Sequence, residues 1–226
     1  MKPLYDITPF TLLDYPDLPA AILWFAGCNL RCSYCYNPDI VLSRGRITQE
    51  SAVNFLKTRK GLLEGVVLSG GECTLYSNIL PFCHTIKELG FKLKIDTNGM
   101  RPDVLRTLLD AHLIDTVALD YKTTQEHWDE LCAGGEEALF WKSFDHLQKS
   151  NIHFEVRTTV HTGLIDKTTV HEMATKLQSA GYTGVYAIQS FLNGCETLKP
   201  LISDEHVWSL DSLQSRLCLP ILHRKL

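Results

Sequence analysis

The stretch AAILWFAGCNLRCSYCYNP, Ala20 to Pro38, decides how this chain is read. Its first eight residues, 20–27, are apolar without a polar break, the pattern of a strand covered on both faces. Cys28, Cys32 and Cys35 follow at once, spaced C-x3-C-x2-C. A strand that runs straight into three soft ligands predicts a site at its carboxyl end.

The rest of the chain repeats that plan. Apolar runs recur as GVVLSG (65–70), FKLKIDT (91–97), DTVALDY (115–121), HFEVRTTV (153–160) and GVYAIQ (184–189). Segments of helical period lie between and after them. They cover 48–59 from Thr48, 77–89 up to Gly90, 102–111 from Pro102, 136–149, 166–179 with Asp166 as N-cap, and 204–217. Strand–helix units in series predict an α/β protein with a parallel sheet and crossover helices. Six such units fit an open doubly wound sheet or an incomplete α/β barrel. No linker or composition shift divides the chain, so one domain over 1–226 is expected, its core at about 18–200.

Polar residues gather where the strands end. SGGEC (69–73) closes the second run, DTNG (96–99) the third and DYK (120–122) the fourth, while Arg157 lies in the fifth and Gln189 ends the sixth. Sites of α/β sheets and barrels form at the carboxyl ends of their strands.

Composition excludes several classes. Of 226 residues, 45% are hydrophobic and 21% charged, with a net charge of -4 and no basic block. Non-specific nucleic-acid binding needs clustered Lys and Arg, so none is expected. LPAAILWFAG is too short to span a bilayer, and no signal-peptide pattern is found. The expected compartment is the cytoplasm, with no membrane partner. Thiols stay reduced there, so the eight cysteines read as metal-binding, catalytic or buried groups rather than disulfides.

Close-spaced thiolates select zinc, copper(I) or iron–sulfur. Structural zinc takes four ligands, and Cys73 or a histidine could complete such a site here. A four-iron cluster also takes four cysteines as a rule. Three would leave one iron open, which is what a site that must bind something else requires.

C-x3-C-x2-C with an aromatic, Tyr34, before the last cysteine resembles the signature of the radical S-adenosylmethionine enzymes. GGE (70–72) is similar to that superfamily's motif for the methionine amino group. TPFTLLDYPDLPAAILWFAGCNLRCSYCYNPDIV (8–41), LDYKT (119–123), FEVRTTVHTGLID (154–166) and IQSF (188–191) resemble the activating proteins of anaerobic ribonucleoside-triphosphate reductase, which are glycyl-radical-enzyme activases.

The resemblance implies a partial (β/α)6 TIM-like barrel, the radical SAM core. It implies that Cys28, Cys32 and Cys35 hold a 4Fe-4S cluster whose fourth iron is chelated by S-adenosyl-L-methionine. One electron from a flavodoxin- or ferredoxin-type donor would cleave the sulfonium, and the resulting radical would take a hydrogen atom from a glycine of the partner enzyme. Gly70 and Gly71 would allow close backbone approach, and Glu72 would accept from the ligand's ammonium. Asp96, Thr97 and Asn98 would hydrogen-bond the ligand, with Gly99 freeing the turn, or the segment would simply be an Asx-turn opening the next helix. Asp120 and Lys122 face one side of a strand and would meet ribose and carboxylate, or form a plain ion pair. Arg157 would pair with the carboxylate or make a structural salt bridge. Gln189 would reach the ribose, and Tyr34 the adenine.

Tyr36, Cys73 and Cys195 depart from the family's usual His, Pro and non-cysteine positions. Cys73, Cys83, Cys132, Cys195 and Cys218 read mostly as small buried hydrophobes, and Cys73 is expected to face away from the cluster. A radical enzyme acting on a small molecule or peptide, and a non-catalytic electron carrier, are the alternative functions.

Overall fold

A computed structural model describes residues 2–204 and 219–224. Among them, eight strands form one sheet whose spatial order is the chain order. They are β1 (Leu4–Thr11), β2 (Ala20–Phe25), β3 (Gly65–Gly70), β4 (Lys92–Thr97), β5 (Thr116–Asp120), β6 (His153–Val160), β7 (Tyr186–Ser190) and β8 (Ile221–Arg224). From β2 to β8 every neighbouring pair is parallel. The fold is α/β, an unclosed partial barrel, and the six expected strands are β2 to β7.

Two strands were not expected. β1 pairs antiparallel with β2, and β8 extends the far edge beside β7. Both are edge strands with mainly exposed or half-buried side chains, so neither carries the apolar run that marks an interior strand.

The helices are α1 (Pro38–Leu42), α2 (Gln49–Lys57), α3 (Ile79–Glu88), α4 (Pro102–Asp110), α5 (Trp128–Cys132), α6 (Glu137–Lys149) and α7 (Lys167–Ser179). Their starts follow local chemistry. Thr48 Oγ1 accepts the Ser51 N–H at 3.1 Å and Asp166 Oδ1 the Thr169 N–H at 2.7 Å, each satisfying an orphan amide of the first turn. The helix expected over 204–217 lies outside the described residues but for Asp204.

Strand alternation sorts the core. Ala21, Leu23 and Phe25 of β2 join the large apolar cluster between sheet and helices. Ala20 and Ile22 point to the other face, where they cluster with Tyr15 and Val67, with Leu18 and Trp24 partly buried beside them. This inner face is otherwise polar towards the carboxyl ends of the strands. Parallel register aligns those ends, with Phe25 beside Gly70 and Asp120 beside Arg157. No described helix is long and apolar enough to cross a membrane.

Candidate functional site

The loop after β2 is pinned from two sides. Arg31 and Ser33 donate their amides to the carbonyls of Cys132 (2.6 Å) and Leu131 (2.9 Å) at the end of α5. The amides of Leu198 and Lys199 donate to the carbonyls of Cys35 (3.3 Å) and Ser33 (3.2 Å). Arg31 also turns its guanidinium back onto the Cys28 and Leu30 carbonyls at 2.7 and 2.8 Å. So held, Cys28, Cys32 and Cys35 line one cavity of about 200 Å³.

Burial pushes the Cys28 thiol up to about 12, only partly offset by the Leu30 amide, and raises Cys35 likewise. Cys32 is drawn below its ordinary value because the Cys132 thiol hydrogen-bonds it. Thiols of this kind lose their protons when they coordinate metal. Among the described residues, no three His, Cys, Asp or Glu side chains sit close enough together for a single ion. The thiols ring a cavity instead, which suits a polynuclear cluster better than one zinc.

The turn after β3 presses on this loop. The amides of Gly71 and Glu72 donate to the Phe25 and Gly27 carbonyls at 2.8 and 2.9 Å. A Cβ on Gly71 would lie 1.9 Å from the Gly27 oxygen, and Gly70 has φ +115°. Both glycines line the cavity, so a ligand there meets bare backbone.

Glu72 differs from its expected place. Its side chain is 2% exposed and is absent from the cavity wall. Oε1 accepts from Thr74 N (3.1 Å), Thr74 Oγ1 (2.6 Å) and Thr97 Oγ1 (2.9 Å), and Oε2 from Asn98 N (2.8 Å). Burial raises its pKa and those hydrogen bonds oppose the rise. With three donors on Oε1 and one on Oε2, the side chain braces the turn after β3 against the turn after β4.

Asp96 and Thr97 at the end of β4 and Asn98 just beyond it line the cavity, with Asp120 at the end of β5, Lys122 just after it, and Arg157 from β6. The charges alternate. Lys94 pairs with Asp96, Asp96 Oδ2 lies 3.5 Å from Arg157, Arg157 Nε donates to Asp120 at 2.9 Å, and Lys122 donates to Asp120 at 3.0 Å. Burial would raise both aspartates, but Arg157 with Lys94 or Lys122 outweighs it and holds them below the usual carboxylate range. Arg157 and Lys122, both lining the cavity, are the cations within reach of an anionic ligand group there.

Tyr34 also lines the cavity. It is 3% exposed, and its hydroxyl has no hydrogen-bond partner among the described residues. A buried orphan hydroxyl and a glycine cradle are what a bound polar ligand would complete. Gln189 is not brought to the cavity; its register partner Thr159 is. Ser69 and Thr159 line the cavity without having been expected, and Lys94 stands behind it. Their signal was present as alternation: each lies two residues from an inward-facing position on its strand.

The departing residues separate. Cys73 is buried in the core between sheet and helices, with its thiol donating to the Asp96 carbonyl at 3.7 Å. It does not line the cavity, as expected. Cys83 and Cys132 are buried and Cys195 is exposed; Cys218 lies outside the described residues. Tyr36 lines the cavity, accepts the Leu192 N–H at 2.7 Å and packs on Phe191.

Comparison with known proteins agrees with this geometry. Residues 22–175 match the family described as the Radical SAM superfamily. The chain belongs to that superfamily, whose members use a 4Fe-4S cluster and S-adenosylmethionine. Within it the chain resembles glycyl-radical activases. It is 33% identical over 202 residues to a Methanocaldococcus jannaschii protein named "Putative glycyl-radical enzyme activating enzyme MJ1227", covering 84% of this chain and 81% of that one. It is 36% identical over 109 residues to the pyruvate formate-lyase-activating enzyme of Clostridium pasteurianum, covering 44% of each. The solved structure of anSMEcpe with bound AdoMet shares the fold, with a TM-score of 0.64 at 16% identity, covering 87% of this chain and 61% of that one.

Proposed function

We propose that this chain installs a glycyl radical on a partner enzyme, and that the partner is an anaerobic ribonucleoside-triphosphate reductase. One observation carries the reading: three cysteine thiols open onto a single cavity whose wall also includes bare glycine backbone and paired charges. When bound, the iron–sulfur cluster and adenosylmethionine supply the one-electron bond cleavage and the hydrogen-atom abstraction.

The chain's own residues do the positioning. Cys28, Cys32 and Cys35 are the cluster ligands. Gly70 and Gly71 bring backbone to the methionine end, and Glu72 holds that turn from behind. Arg157 and Lys122 offer cations to a carboxylate, and Asp120 fixes both. Asp96, Thr97 and Tyr34 supply the remaining polar wall. A flavodoxin- or ferredoxin-type protein provides the electron. The resemblance of residues 8–41 and 154–166 to reductase activases supports this particular partner.

The test is electron paramagnetic resonance on anaerobically reconstituted protein mixed with adenosylmethionine, reductant and the reductase. A glycine-centred radical on the reductase, absent without adenosylmethionine, is the expected result. Adenosylmethionine cleavage without that radical would remove the reductase as partner.

A further inference from the structure

Asn98 makes contacts that a ligand-binding role does not require. Its Oδ1 accepts the Met100 N–H at 3.0 Å, and its backbone N–H is held by Glu72. An N–H can only be met by an acceptor, so the Met100 contact fixes which way the amide points. The Nδ2 group therefore faces the cysteine loop. There it donates to Asn29 Oδ1 at 2.9 Å and lies 3.7 Å from Cys28 Sγ. Two N–H bonds on one nitrogen serve both acceptors. The Leu30 amide also donates to Cys28 Sγ, at 3.4 Å. Cys28 thus receives one backbone donor and one side-chain donor, and only the second can be altered by substitution.

We propose that Asn98 is a positioning residue that sets the reduction potential of the cluster through its hydrogen bond to the Cys28 sulfur. Reduction adds negative charge to the cluster and its thiolates. A donor aimed at a thiolate stabilises that reduced form, and hydrogen bonds to sulfur are among the factors that set such potentials. The residue type matters. Aspartate at 98 would keep the Met100 turn but would bring no donor and a repelling charge. The inference rests on the reading of Cys28 as a cluster ligand.

The experiment compares parent, Asn98→Asp and Asn98→Ala proteins, reconstituted anaerobically and titrated with reductant without adenosylmethionine. Iron and sulfide content and circular dichroism are recorded alongside the resonance of the reduced cluster. At the potential where the parent is half reduced, the reduced-to-oxidised ratio should fall about tenfold in Asn98→Ala, about 59 mV for a one-electron couple. Asn98→Asp should shift further in the same direction. If only one variant keeps its cluster, that variant decides. Unchanged midpoints would overturn the inference, even if adenosylmethionine binding were weakened. Loss of the cluster from both variants with the fold intact would overturn it too, since Asn98 would then be a brace. A parent protein that takes up no iron and sulfide would refute the cluster reading itself, and this inference with it.

Discussion

Gly71 packs against the carbonyl of Gly27 so closely that a Cβ at position 71 would sit 1.9 Å from the oxygen. The turn after β3 and the loop that carries Cys28 are therefore one unit. Gly71→Ala must push backbone against backbone, with no flexible side chain to yield. The expected cost is about 1–3 kcal/mol, as for overpacking, together with a lower iron content after reconstitution. Urea denaturation reads the first and iron analysis the second. A parent-like midpoint would mean the two loops move freely.

Glu72→Gln separates bracing from ligand binding. Glutamine can keep its oxygen at the Oε1 position, where three donors converge, but then presents an amide N–H to the Asn98 N–H. Leaving that buried amide unpaired costs about 1–3 kcal/mol. Stability should fall and the Asn98 amide should exchange faster. Weaker adenosylmethionine binding at unchanged stability would return Glu72 to the ligand-facing role.

Arg157 holds Asp96 and Asp120 below the usual carboxylate range. A depressed carboxyl adds stability that is complete above its unfolded value, about 3.9, and is lost as pH falls through the folded value. The parent should therefore lose stability steeply below about pH 4. In Arg157→Met both carboxyls rise, so the protein is less stable at pH 7 and its acid dependence flattens. Denaturant midpoints from pH 7 to 3 for the two proteins check this; parallel curves would contradict it.

Cys73→Ala should keep the iron content and visible spectrum of the parent, because the Cys73 thiol lies in the core. Only a modest stability loss of about 1 kcal/mol is expected. Cys35→Ala, which changes the cavity wall, should fail to assemble the cluster. Loss of iron from Cys73→Ala would reassign the fourth cysteine.

The sequence by itself determined the strand–helix alternation, the cysteine loop at the end of β2 and the caps at Thr48 and Asp166. These depend on neighbours close along the chain, so local spacing encodes them. The edge strands β1 and β8 were not legible, because an edge strand does not need an apolar run. Only the tertiary structure decided that Glu72 turns to Thr97 and Asn98, that Thr159 rather than Gln189 reaches the cavity, and that Asn98 points at Cys28. Each of those contacts joins residues on different strands or loops. Where a buried polar group points is set by which donors and acceptors the packed sheet brings within reach, and burial makes leaving it unpaired costly. That accounting closes only once the strands stand side by side.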